Sequence, residues 1–285
     1  MRLRNKDARI FVPDSIPTDA AIERTTHLAV SAHQDDLEIM AFDGIIKCYE
    51  KEKNWFFGIV VTDGTGSIRT GRFSDYNDHE FKMARYNEQL EAARIGKYGA
   101  VALLDYTSRE TRDPASTKLT DELYDLISLA SPNTVYVHNL ADKHPTHVAT
   151  ALRTIEAIRQ MPENKRPENI YGCEVWRSLD WILDEEKTVF DVDAYTELAW
   201  KLLKVFESQI SGSKKYDEAT IARRMANSTF LETLDADASN SLIFAMDLSP
   251  VIKDEKLDIS AYVTNYIDRF KTSVISNIKK MESSR

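Results

Sequence analysis

Cysteine is nearly missing from this chain. Two residues, Cys48 and Cys173, stand among 285, and they form no CxxC pair. That excludes a disulfide framework and leads one to expect a reducing cytoplasm. Long apolar runs are missing too: no stretch of about 20 apolar residues occurs, so no membrane span is expected. The opening MRLRNKDARIFVPDSIP is charged and then broken by two prolines, without the apolar core of a secretory signal. Basic charge is short, with 37 Lys and Arg against 46 Asp and Glu and a formal net charge of −9. Nucleic acid, whose phosphates require a basic face, is therefore not an expected partner. The same balance disfavours highly anionic substrates. There is no internal repeat, no low-complexity tract, and no G-x-G-x-x-G after the first strand-like run, where a dinucleotide fingerprint would sit.

What is present is an alternation of β-rich and helical segments. Apolar residues make up 42% of the chain and charged residues 29%, enough for a soluble core. Runs at 26–32, 55–61, 101–104 and 134–137 read as strands. Helical spacing follows the first at 37–50 (Ile39, Phe42, Ile46), then recurs at 80–97 (Met83, Tyr86, Leu90, Ala93), at 121–130 and around Val148, Leu152 and Ile155. This β-α-β-α order implies an α/β fold, a Rossmann-like three-layer α/β/α arrangement around a mostly parallel sheet. Ligands of such sheets bind beyond the carboxyl ends of the strands. After about residue 165, 170–176 and 188–192 look like late strands and 193–209 looks helical. A stripe of Val263, Ile267, Phe270, Val274, Ile278 and Met281 marks a last helix, expected to be core packing. We expect a single domain over 1–285, with a core at about 25–210 and a helical extension at about 211–285. Within the extension, 211–260 is compatible with a lid, an oligomer contact or an addition to the sheet.

Two clusters carry chemistry. His33, Asp35 and Asp36 lie where the first strand should give way to the first helix. Imidazole nitrogen and carboxylate oxygen are both zinc donors. His33 and Asp36, three residues apart across a tight turn, can converge on one ion, leaving Asp35 free for proton transfer; the alternative is that Asp35 or Asp36 caps the helix. The second cluster, His138 and then Asp142-Lys143-His144-Pro145-Thr146-His147, closes the fourth strand and opens a helix, with Pro145 suited to its first position. Four of the six histidines thus fall at strand ends. Two His and one Asp with a position open to water is the pattern of a catalytic zinc.

These segments resemble the LmbE-like/PIG-L family of zinc-dependent N-acetylglucosaminyl deacetylases. Ala32-His33-Gln34-Asp35-Asp36 is similar to the family's AHPDD, and His144-Pro145-Thr146-His147, with Asp142 ahead of it, to HPDH. Arg85-Tyr86-Asn87-Glu88, Ala92-Ala93 and Ile95-Gly96 match an R-x-x-E helix; Thr62 to Ser67 loosely matches a Thr-Arg-Gly-Glu loop, and Glu207-Ser208-Gln209 a later Ser-Gln. The resemblance implies one zinc ion held by His33, Asp36 and His147. It implies that Asp35 is the general base, that His144 stabilises the oxyanion as imidazolium, and that Arg85 meets the sugar hydroxyls; from the residues alone, Arg85 could equally pair with Glu88. The implied partner is a small amino-sugar substrate, and family members often form homo-oligomers. Three departures stand out: Gln34 replaces the proline and should loosen the turn, Thr146 replaces an Asp, and Asp63 replaces a loop arginine. A zinc amidase acting on a non-sugar amide and a non-catalytic metal- or nucleotide-binding domain are the competing readings. Trp176 and Trp181 are read as core residues or as part of a sugar site.

Overall fold

The structure is a computed structural model and describes residues 3–211, 214–234 and 236–283. Its strands are β1 (Arg9–Phe11), β2 (His27–Ser31), β3 (Phe56–Thr62), β4 (Ala100–Tyr106), β5 (Thr134–His138), β6 (Asn169–Cys173), β7 (Thr188–Asp191) and β8 (Leu242–Asp247). They form one sheet in the order β1-β4-β3-β2-β5-β6-β8-β7. The run β4, β3, β2, β5, β6 is parallel, and antiparallel pairs close both sides, β1 on β4, β8 on β6 and β7 on β8.

Helices fill the crossovers. α1 (Thr18–Glu23) precedes β2, while α2 (Asp36–Met40) and α3 (Phe42–Cys48) link β2 to β3. α4 (Asp78–Ile95) leads to β4, α5 (Ser108–Arg112) and α6 (Lys118–Ala130) to β5, and α7 (Pro145–Arg159) to β6. α8 (Thr196–Leu203), α9 (Glu207–Ile210) and α10 (Tyr216–Thr229) lie between β7 and β8, and α11 (Ser249–Lys253) and α12 (Ile259–Ser283) follow. Side chains of a strand alternate between faces, and here both faces are apolar. Leu28, Val30, Phe57, Ile59, Val135 and Val137 enter one core cluster, while Ala29, Phe56, Val60 and Tyr136 enter the other. All seven residues of β3 are buried, as continuous apolar strands covered on both faces should be. Chain order reverses between β2 and β5, so a crevice opens at the carboxyl ends of these two strands.

One contact sets how closely α3 approaches the sheet. A Cβ added at Gly44 would lie 2.5 Å from Cε2 of Tyr136. The Tyr136 hydroxyl donates to Asp43 Oδ2 at 2.7 Å, which keeps the ring from swinging away. Gly44→Ala is therefore expected to destabilise the protein by about 1–3 kcal/mol through overpacking, read as a lower denaturant midpoint with an unchanged slope.

Several expectations are corrected. The helix expected at 37–50 breaks at Ala41 (φ −109°, ψ 22°) into α2 and α3. The helix expected at 193–209 is divided into α8 and α9, with Phe206 (φ −83°, ψ 57°) outside helical geometry. The helical extension from about 211 does not hold as such, because β8 inserts between β6 and β7; the 211–260 segment adds to the sheet, although residues 212, 213 and 235 lie outside the described ones. The stripe expected to be core is buried only at Val263; Ile267, Phe270, Val274, Ile278 and Met281 are 39–68% exposed. Helical periodicity reports that a face is apolar, not what covers it. Both cysteines are free and buried, and among the described residues no helix is long and apolar enough to cross a membrane.

Candidate metal centre

The centre is built at the carboxyl ends of β2 and β5. After β2 the chain turns sharply into α2, and Asp35 adopts φ 89° and ψ −30°. A non-glycine residue there costs on the order of 1–3 kcal/mol, and such strain gathers at functional sites. Neighbours hold the turn in place. The Gln34 side-chain amide donates to the Thr62 carbonyl at 3.0 Å, so the residue replacing proline anchors the turn to β3 instead of loosening it. Arg85, reaching from α4, donates through Nη2 to the Gln34 carbonyl at 2.9 Å, and through Nη1 to the Gly64 carbonyl at 2.9 Å and to Ser67 Oγ. It thereby ties the turn to the loop after β3. Glu88 does not pair with it; its carboxylate accepts from the Ser208 N–H and hydroxyl at 2.8 and 2.5 Å. Asp63 accepts from Thr65 N–H and Oγ1 at 3.0 Å, shaping the loop from within.

Asp35 occupies the N-cap position of α2, yet its side chain makes no capping bond. The capping alternative therefore does not describe it. Asp36 turns inward. Its Oδ2 accepts the His33 N–H at 2.8 Å and lies 3.1 Å from His33 Nδ1, 3.4 Å from His147 Nε2 and 3.5 Å from His138 Nε2. His147 Nε2 is 3.2 Å from His33 Nδ1. His147 comes from the first turn of α7, with Pro145 at the start of that helix as expected and His144 just before it. Behind them, Asp142 Oδ1 accepts the His144 N–H at 2.9 Å, and Oδ2 accepts the Trp176 N–H at 3.1 Å and lies 3.5 Å from His147 Nδ1. Asp142 thus supplies the carboxylate behind the cluster that Thr146, itself buried, does not.

Two overlapping groups, His33/His144/His147 and Asp36/His138/His147, have donor atoms close enough together to hold a metal ion. The donor chemistry fits a divalent ion. Burial lowers the proton affinity of His33, and of His138 still more, and with the His147 and His33 rings it brings His144 down to about 4. Neutral imidazoles leave lone pairs for a metal; His144, however, is not favoured as the imidazolium expected of it. Burial also raises Asp36, but the rings of His147, His138 and His33 outweigh that effect and hold it well below the carboxylate range. Asp35 goes the other way: burial and the Asp36 charge raise it, against the Arg85 guanidinium 4.0 Å away. Adjacent carboxylates pushed apart in this way are suited to different roles.

A cavity of about 750 Å³ opens over the cluster, lined among others by His33, Asp35, Asp36, Arg85, His144 and Trp176. Residues 28–158 match the family model described as PIG-L: GlcNAc-PI de-N-acetylase. Over that stretch the chain resembles a PIG-L domain. Its fold recurs in solved structures. N,N'-diacetylchitobiose deacetylase from Pyrococcus horikoshii aligns at 17% identity over 87% of this chain and 93% of its own, with a TM-score of 0.63. The 4-carboxy-2-hydroxymuconate hydratase GalB of Pseudomonas putida aligns at 17% identity over 79% and 96%, TM-score 0.60. A conserved protein of Thermus thermophilus aligns at 19% over 82% and 99%, also at 0.60. At such identities the likeness is one of fold, and a hydratase among these structures shows that the fold alone does not set the reaction. No curated protein matches the chain in sequence.

Within that matched stretch the structure brings His33, Asp35, Asp36, His144 and Arg85 to one cavity, with His147 buried behind them. Trp176 joins them, whereas Trp181 packs on the core. Sequence reasoning gave His138 no role. It is fully buried, its Nε2 accepts the Ala32 N–H at 2.9 Å, and its ring stacks on His147 at 3.8 Å. Its place at a strand end was the available signal. The C-terminal segments add Lys214, Arg223 and Arg224 to the cavity wall, with Arg112 from α5. The wall thus gathers these cations beside Asp35, Asp36 and Glu174, on a chain that is acidic overall.

Proposed function

We propose that this chain is a zinc-dependent deacetylase that hydrolyses the N-acetyl group of an N-acetylglucosamine-type sugar or conjugate. One observation carries the reading. His33 Nδ1, Asp36 Oδ2 and His147 Nε2 lie 3.1, 3.2 and 3.4 Å from one another, close to the edge of about 3.4 Å of a tetrahedron with zinc-ligand bonds near 2.1 Å. The unbonded carboxylate of Asp35 stands beside them in the cavity. These three residues would hold the ion. His138 is set aside because its Nε2 lone pair already accepts the Ala32 N–H; it steadies the His147 ring instead. When bound, zinc polarises the acyl carbonyl and lowers the pKa of water towards ~7.

The chain's own residues complete the reaction. Asp35 takes a proton from the attacking water as the new C–O bond forms at the acyl carbon. It returns that proton to the amide nitrogen as the C–N bond breaks, releasing acetate and the amine. His144, neutral in its half-buried setting, offers a ring N–H to the developing oxyanion, the kind of donor worth about 3–4 kcal/mol in such a site. Arg85 serves the substrate through the two loops that it ties together, and Trp176 lines the cavity with its ring stacked on that of His144. Lys214, Arg223 and Arg112 favour a substrate bearing a phosphate or carboxylate. The buried free thiols accord with a cytoplasmic setting.

The test is a release assay on N-acetylglucosamine, its phosphate- and carboxylate-bearing derivatives, and N-acetyl amino acids, with and without a chelator. Equimolar acetate and amine are expected from the sugar amides, lost on chelation, restored by zinc, and with the lowest KM for the anionic derivatives. Equal turnover of N-acetyl amino acids would replace this reading with that of a non-sugar amidase. Zinc binding without any amide hydrolysis would support a non-catalytic domain.

A further inference from the structure

Helix α12 leaves the body of the protein at Tyr266. Val263 and Tyr266 are its buried residues, and from Ile267 to Ser283 every described position is exposed except Ser273, which is half-buried. Arg269 reaches back, pairing with Glu186 at 2.5 Å. Such a projection is hard to hold in water on its own. Isolated helices shorter than about 12–15 residues are marginal even when alanine-rich, and the middle of this one, Thr272-Ser273-Val274-Ile275-Ser276-Asn277, is built entirely of weak helix formers. Packing of an apolar face must supply what propensity does not.

That face exists and is uncovered. Ile267, Phe270, Val274, Ile278 and Met281 are 45%, 39%, 41%, 55% and 68% exposed. At 100° per residue they fall within an arc of about 80°, and Ile275 (43% exposed) flanks it. The six side chains expose roughly 600 Å², at the upper end of the largest patches on ordinary monomers. The stripe is also symmetric in sequence about Val274. Phe270 and Ile278 lie four residues to either side of it, and Ile267 and Met281 seven. An antiparallel partner with the same sequence would set Val274 against Val274, Phe270 against Ile278 and Ile267 against Met281. Lys271 would come opposite Asn277, so no like charges would meet at that step. The two bodies would stand at opposite ends of the seam.

We infer that α12 is a dimerisation helix, and that its occupant is the α12 of a second copy, packed antiparallel about a two-fold axis through Val274. The contact is isologous, as two-fold interfaces are. Covering all six side chains on both copies removes at most about 1,200 Å² in total, at the lower bound for stable dimers. The interface lies on residues that play no part in the metal centre, so the inference does not depend on the proposed reaction.

Light scattering on the zinc-loaded protein at 5–100 µM tests it. A dimer is expected for the unaltered chain, and monomers for Val274→Glu and Phe270→Glu, with zinc content unchanged. The register has its own test. Val274→Cys should cross-link two copies under mild oxidation, because the axis brings the two sulfurs together, whereas a cysteine at the back of the helix (Ser276→Cys) should not. Cys48 and Cys173 are buried and stay silent in this assay. A monomer at 100 µM, or a dimer that survives Val274→Glu, overturns the inference; dimers that cross-link equally well from 276 overturn the register.

Discussion

Asp36→Ala and His147→Ala are each expected to bring zinc content from one ion per chain to near zero and to reduce deacetylation to background. Each substitution removes one of the three proposed donors, whose mutual spacing is already that of a coordinated set. Structural support should matter less than the donors but still measurably. Asp142→Asn removes the charge 3.5 Å behind His147 Nδ1, and loss of such a partner typically weakens metal affinity about 10–100-fold. Metal analysis after dialysis, with a competition titration for affinity, reads all three. His33→Ala and His138→Ala decide between the proposed set and the Asp36/His138/His147 group. If zinc is retained in the first and lost in the second, the ligands are Asp36, His138 and His147, and His33 is not one of them.

Asp35→Asn is expected to lower kcat by about 10²–10⁴, the usual contribution of a positioned general base, which is about 3–5 kcal/mol in the barrier at 1.36 kcal/mol per tenfold. Zinc content should be unchanged, because the Asp35 carboxylate is not among the three donors. Asparagine is the right replacement for a physical reason: at φ 89° the position lies where few side chains are tolerated, and Asn is among those that are. A loss of activity in this variant thus reports the missing base and not a collapsed turn. Full activity in Asp35→Asn, with zinc bound, would show that the proton is carried by another group, and His144 would be the next candidate.

How much of this could be read from residues alone varies from element to element. β2, β3, β4 and β5 were legible because continuous apolar runs bounded by polar turns have few other uses. β8 was not legible, since its partners β6 and β7 lie roughly 50–70 residues away in sequence and nothing local marks a strand that inserts between them. The break at Ala41 was equally hidden, because α2 and α3 share one helical pattern on either side of it. His33, Asp36 and His147 could be picked out as candidate donors from motif and spacing. That Asp35 is not a cap, that Arg85 clamps two loops instead of pairing with Glu88, and that His138 has its lone pair engaged all depend on partners distant in the chain. The cations on the cavity wall were invisible to net charge, which averages over a surface that the fold then sorts.

By itself, then, the sequence determined the α/β class, the parallel core and the two strand ends where chemistry gathers, because periodicity and turn chemistry are local properties. Tertiary structure alone decided which face of each helix is covered, which carboxylate turns inward, and that α12 carries its apolar stripe out into solvent. Those outcomes rest on contacts between segments far apart in the chain, and no local pattern records them.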